Sequence, residues 1–277
     1  MSERMIWLLI YAVPVIAICG PLANFLVIGF WRVDGSSMVA DLSLANYVTF
    51  FTNPTYKTVL IKTMYLAAEV ALVSIVIGYS IAYFVWKCPR AAHYPLLVMS
   101  TIPLLMSYII KLYAIRSILG FDGFLNSLLV AIGILDHPST IFLFNQTAIL
   151  IAMSIVYLPF AILPVYLTLE RIPESLLHAS SDLGASAWQT FRYVVLPSSL
   201  PGTVVGGMFS YILALGDFVT PQMVGGVQGF TFGRVIWSQF GMAFDWPFGA
   251  AMSTVLLFLS LIVIGIAGKI VKKAENI

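Results

Sequence analysis

Glu69, Lys111 and Asp217 are ionisable residues set inside stretches that are otherwise apolar. A charge at membrane depth is expensive, so such a residue is a functional hypothesis by default, with an ion pair or a structural cap as the alternative. Carboxylates of this kind can hold an ammonium group, helped by aromatic faces through cation–π attraction. Asp217 is open to two readings, contact with a passing cation or a cap on the loop that follows it. Glu69 is open to pairing with Lys111 or to contact with a solute. Lys111, near the end of its stretch, is most simply explained by snorkelling to the surface. Tyr108 and Tyr113 flank Lys111 and are candidates for the same route, although an aromatic belt at the membrane surface explains them equally well.

A second group of residues is polar and lies between two apolar stretches. Residues 178–197 read HASSDLGASAWQTFRYVVLP. Just before them, Pro173 suits the first position of a helix and Glu174 suits its positive N-terminal end. Leu176, Ala179, Ser180 and Leu183 fall at helical spacing and predict a shallow face of small and apolar residues. Gly184 is a left-handed stop. Ser186 and Gln189 fit a capping box that opens a second helix, with Trp188, Phe191 and Val194 or Val195 on one face and Pro197 at its end. Asp182 sits at the C-terminal end of the first helix, where the macrodipole disfavours an acid, so it faces the second helix or a basic partner. The segment therefore predicts helix, sharp turn, helix. Spacing alone leaves open an ordinary amphipathic connector.

These residues hang on a chain built for lipid. Of 277 residues, 60% are hydrophobic and only 9% charged, and the mean hydropathy is +0.98; soluble domains carry roughly 25% charged residues. A net charge of +2 gives no reason to expect nucleic-acid binding. Six stretches are long enough to span a bilayer, at about 20 residues each: 6–30, 63–86, 94–113, 141–169, 200–219 and 248–271. The first run is too long for a signal-peptide core of roughly 7–15 residues and is read as a retained helix. Pro14, Pro21, Pro103, Pro159 and Pro164 lie inside spans, where they kink helices without forbidding them. Gly202, Gly206 and Gly207, and Gly249, Ala250 and Ala251, predict close helix packing.

Placing the N-terminus in the cytoplasm puts Arg4, Lys87, Arg90, Arg171, Arg192, Lys269, Lys272 and Lys273 inside, and Arg32, Lys57, Lys62, Arg116 and Arg234 outside. Both termini and residues 178–197 are then cytoplasmic. The longer outer loops are expected to hold short helices lying along the surface.

Several function classes find no footing. The chain has no G-x-x-x-x-G-K-[ST], so it does not bind ATP in the P-loop manner. It has no H-E-x-x-H and no Cys/His cluster of metal-binding spacing. Cys19 and Cys88 give no disulfide framework. None of His93, His137 and His178 lies in a catalytic constellation within the spans. An ion-coupled secondary transporter would want paired intramembrane carboxylates and an inverted repeat, and neither is visible.

The run LLHASSDLGASAWQTFRYVVLPSSLPG resembles the "EAA" loop of the integral-membrane subunits of ATP-binding-cassette importers. Ala179, Gly184 and Pro197 match that loop's fixed positions, and Asp182-Leu183-Gly184-Ala185-Ser186 matches its common D-L-G-A-S form. His178 and Ser180 stand where Glu and Ala are usual. The resemblance extends over nearly the whole chain and is closest to spermidine/putrescine importer permeases, through Leu44-Ala45-Asn46-Tyr47, Gly78-Tyr79, Ala82-Tyr83-Phe84 and the run from Asp245 to Ala251.

This resemblance implies an all-α membrane protein of the type I importer permease fold, a single transmembrane domain over 1–277 with a cytoplasmic coupling loop at 170–197. It implies a subunit with no catalysis or cofactor of its own, in a bacterial inner membrane. Such a subunit works with two copies of a cytoplasmic ATPase that bind the ATP, a second homologous permease and a periplasmic solute-binding protein. Glu174, Leu176, Ala179, Asp182, Gly184, Ala185, Ser186, Trp188 and Phe191 would form the ATPase contact, and Asp217, Glu69, Tyr108 and Tyr113 are candidates for the solute path. The implied cargo is a polyamine; sister importers carry opines, amino-acid derivatives, thiamine or iron complexes.

Overall fold

Long apolar runs leave the backbone no partner but itself, so they fold as helices. The computed structural model describes residues 3–35 and 37–274, without the side chains of 3–10 and 228; the orientation signal of Arg4 lies outside the described side chains. In chain order the elements are α1 (Glu3–Ile28), a hairpin of β1 (Arg32–Asp34) and β2 (Ser37–Val39), α2 (Ala45–Thr52), α3 (Pro54–Lys87), α4 (Arg90–Leu105), α5 (Tyr108–Leu119), α6 (Phe124–Ala131), α7 (Gln146–Glu170), α8 (Glu174–Asp182), α9 (Ala187–Thr190), α10 (Leu196–Gly216), α11 (Val219–Val224), α12 (Phe232–Gly241) and α13 (Trp246–Ala274). Among the described residues, six helical segments are long and apolar enough to cross a membrane.

The chain forms two compact units, Met1–Val59 with Val235–Leu259, and Leu60–Arg234 with Ser260–Ile277. In the first, Asn46 donates to the carbonyls of Gly29 (3.0 Å) and Trp31 (2.8 Å), closing the end of α1. Ala250 and Ala251 are fully buried. Gly249 lies where a Cβ would meet the Phe240 ring at 2.8 Å, so the close packing expected of this small-residue cluster is present. Asp245 accepts from the Phe248 amide at 3.1 Å and starts α13. The β-hairpin was not expected. Its signal is present as Asp34-Gly35, with Gly35 at φ +61°, and Arg32 pairs with Asp41 beside it.

The second unit is organised around α7, whose Ala152, Met153, Ala161, Val165 and Leu169 are fully buried. Helix α10 lies directly on it. A Cβ on Gly202 would stand 2.2 Å from the Pro164 carbonyl oxygen, so only glycine permits this approach. The hydroxyls of Tyr79 and Ser199 meet at 2.8 Å and tie α3 to α10. Buried Asn126 holds α6 by donating to the carbonyls of Gly120 and Ser139 and accepting from the Ser139 amide.

Two expectations about the elements are corrected. The stretch 94–113 is not one span. The chain turns extended at Met106 and Ser107, just past Pro103 in the last turn of α4, and Tyr108 starts a new helix. The apolar segment long enough to cross is Tyr108–Ala131, formed by α5 and α6. Nor does Pro197 end the second helix of the 178–197 segment. Residues Ala187–Gly216 run as one helix with a π-turn at Phe191–Val195. The wider turn lets the Leu196 amide bond back to the Phe191 carbonyl, and the Ser198 hydroxyl takes up the Val194 carbonyl at 2.7 Å. The backbone disturbance that proline causes is thereby absorbed without breaking the helix.

Candidate functional site

The loop at 170–197 is a helix–turn–helix closed by three local devices. Leu183 ends α8, and Gly184 follows at φ +75°. The Gly184 amide bonds to the Ser181 carbonyl at 2.9 Å and the Ala185 amide to the Ser180 carbonyl at 3.0 Å, the two bonds of a Schellman motif. No atom stands within 4 Å of a Cβ at Gly184, so its φ rather than space requires glycine. The capping box then starts α9: the Ser186 amide donates to Gln189 Oε1 (2.7 Å) and the Gln189 amide to Ser186 Oγ (3.3 Å). The third device is a hydroxyl pair across the turn, with Ser180 Oγ 2.9 Å from Thr190 Oγ1. Ser180 donates to the Leu177 carbonyl at 2.8 Å, so Thr190 supplies the proton of the pair.

These devices sort the loop's side chains into two faces. Leu176, Ala179, Asp182, Gly184, Ser186 and Trp188 are exposed. The outward apolar row is Leu176, Leu183 (88% exposed) and Trp188 (65%), with Tyr193 beyond it. Ser180 was expected on that row but is buried on the inner face, where it meets Thr190. Phe191 was expected as an outward anchor and instead turns inward. Its ring packs edge-on against Tyr83 (5.4 Å) and Tyr79 (6.0 Å) and stacks beneath Trp188 (5.5 Å). It thus joins the buried cluster of Val85, Val165, Leu169 and Val195. Ala185 is half-buried in the turn. Glu174 pairs with Arg90 at 2.9 Å, linking α8 to the start of α4; both groups are exposed, so the pair contributes little. Among the described residues no base reaches Asp182.

The ionisable residues of the spans are placed very differently from one another. Asp217 is 7% exposed. Its Oδ2 accepts from the hydroxyls of Tyr108 (2.6 Å) and Tyr157 (2.9 Å), and its Oδ1 from the amides of Val219 (2.9 Å) and Thr220 (3.1 Å) at the start of α11. The Thr220 hydroxyl also lies 2.8 Å from that of Tyr108. Four donors occupy the carboxylate, so the capping reading describes this conformation and leaves little for a solute. Tyr157 and Thr220 escaped the sequence reading; a tyrosine in the middle of 141–169 was the available signal.

Lys111 lies over the Tyr108 ring at 5.5 Å. It does not pair with Glu69: among the described residues no ion pair links them. Tyr113 is exposed. Glu69 is exposed on α3. Among the described residues no three His, Cys, Asp or Glu side chains gather as a metal site.

The chain matches, over residues 4–275, the family described as binding-protein-dependent transport system inner membrane component. It belongs to that family. It is therefore a multi-pass inner-membrane permease subunit of an ABC importer. It is 33% identical over 258 residues to the spermidine/putrescine transport system permease protein PotB of Escherichia coli, covering 91% of this chain and 93% of that one. It is 35% identical over 256 residues to the inner membrane ABC transporter permease protein YdcU of the same organism, covering 87% and 80%. A permease chain of a bacterial ABC transporter that imports the acidic polysaccharide alginate shares the fold, with a TM-score of 0.74 at 14% identity over 98% of this chain and 92% of that one. The type I importer permease fold is thus the architecture.

Proposed function

We propose that this permease carries polyamines inward, and that its loop at 170–197 receives the work of ATP hydrolysis from cytoplasmic ATPase subunits. The observation that supports the coupling role is the outward row of Leu176, Leu183 and Trp188 on a loop fixed by Schellman motif, capping box and hydroxyl pair. A rigid two-helix unit passes on a push that a flexible connector would absorb, and exposed aromatic and aliphatic anchors suit a groove on a partner. Asp182, Ala179, Ala185 and Ser186 complete that contact, and Glu174 holds its base against Arg90. The polyamine cargo is supported by the 33% identity to a spermidine/putrescine permease over nine-tenths of both chains.

In this reading the termini and the loop are cytoplasmic. The partners are two copies of an ATPase, a second homologous permease that completes the membrane pair, and a periplasmic binding protein that delivers the solute. The permease itself catalyses nothing and binds no ATP. The experiment is reconstitution of the full complex in lipid, with ATP hydrolysis measured as the binding protein is loaded with each of a panel of amines. Stimulation by spermidine or putrescine is expected. Stimulation only by a non-amine solute would reassign the cargo while leaving the coupling role standing.

A further inference from the structure

Helix α3 is buried along one side and bare along the other. Leu66, Val70, Ser74, Ala82 and Val85 face the core of their unit. Tyr65 (69% exposed), Glu69, Leu72 and Val76 form the opposite stripe at helical spacing. Glu69 lies seven residues past Lys62 and eighteen before Lys87, which puts it ~10 Å from one end of the apolar stretch and ~27 Å from the other. Among the described residues one other carboxylate lies well inside a spanning segment, Asp122 in the turn between α5 and α6; Glu69 is the one set within an unbroken helix and more than a turn from its end. Among the described residues, too, no hydrogen bond or ion pair reaches it.

A carboxylate in that position cannot face hydrocarbon cheaply, so this stripe of α3 meets water, solute or another chain. We propose that Glu69 lines the solute path and holds an ammonium group of the passing polyamine, with the exposed Tyr65 ring one turn away offering its face to the same cation. This assignment rests on the polyamine reading and deepens it. Two features favour the solute over other occupants. A polyammonium cargo needs anionic stops, and the other candidate acid, Asp217, is already filled by two tyrosines and two amides. Tyr65 adds a cation-binding surface that a lipid tail or an apolar helix would not use.

The test uses the full complex in proteoliposomes with its binding protein. Glu69→Gln keeps the shape and removes the charge. Spermidine import at saturating binding protein is expected to fall about tenfold, the effect of losing one hydrogen bond to a charged group. Co-purification of the second permease and of the ATPase is expected to stay as in the parent complex. In parallel, Glu69→Cys in a background carrying Cys19→Ser and Cys88→Ser is expected to react with a membrane-impermeant thiosulfonate and to be protected by spermidine.

Import by Glu69→Gln within twofold of the parent overturns the assignment. So does labelling of Glu69→Cys by lipid-soluble maleimide alone, which would make the stripe lipid-facing. Loss of the second permease from Glu69→Gln would make Glu69 an interface residue instead. A parent complex that imports no amine overturns the polyamine reading, and the ligand assigned to Glu69 falls with it. A parent that imports spermidine beside an unaffected Glu69→Gln overturns the Glu69 role alone.

Discussion

Thr190 donates its hydroxyl proton to Ser180 across the turn at Gly184, over 2.9 Å. The bond joins α8 to the helix that runs on into the membrane, so the two arms of the loop move together. Ser180→Ala is expected to cost about 1 kcal/mol, the net worth of one such bond. Thermal unfolding of the purified complex should register that loss, while uptake stays within twofold of the parent.

The turn itself depends on Gly184 at φ +75°. An L-residue in the left-handed region costs roughly 1–2 kcal/mol, and a β-branched one more, whereas Asn tolerates it. Gly184→Val is expected to leave the protein inserted but to abolish transport and ATPase association. Gly184→Asn is expected to retain both. Co-purification of the ATPase with each variant distinguishes them, and normal recovery with Gly184→Val would remove the coupling role from this loop.

Trp188 is expected to dominate the docking face, because it is the largest outward side chain and rests on the inward Phe191 ring. Trp188→Ala should weaken ATPase association by about 2 kcal/mol, roughly thirtyfold, as for a central aromatic anchor. Phe191→Ala is expected to act differently, lowering thermal stability by about 3 kcal/mol through the cavity left against Tyr79 and Tyr83. Titrating the ATPase against nanodiscs carrying each variant separates a docking defect from a folding defect.

Asp217 ties together α5, α7 and α11 through its four donors. In Asp217→Asn the amide NH2 must face either the two backbone amides, which can only donate, or the two tyrosine hydroxyls, which must then turn their protons elsewhere and accept. A loss of about 1–3 kcal/mol is expected. It should appear as lower yield and a lower melting temperature in detergent, with import per folded complex reduced less. A variant that folds as the parent does but imports poorly would return Asp217 to the solute path.

Much of the coupling loop could be read from the chain alone. Gly184, Ser186 and Gln189 act within five residues of themselves, so their stop and cap are local chemistry and need no tertiary context. What could not be read was which side of each short helix faces in. Ser180 and Phe191 have the same helical spacing as the outward residues, and only the packing of Phe191 on Tyr79 and Tyr83 and the hydroxyl of Thr190 turn them inward. Likewise, Pro197 reads as a helix end, yet the π-turn before it carries the helix through.

The sequence by itself determined the class of the molecule: six apolar segments, a polar helix–turn–helix, and acids that lipid would not tolerate. These follow from hydropathy, helical period and capping, each set by neighbours along the chain. Tertiary structure decided the break at Met106 and Ser107 and which acid is left free. Tyr108 and Asp217 are 109 residues apart, and their bond forms only when the start of α5 is brought against the turn between α10 and α11. That contact fills one carboxylate with donors and leaves Glu69 bare on α3, a division that no local pattern encodes because both are lone acids among apolar neighbours.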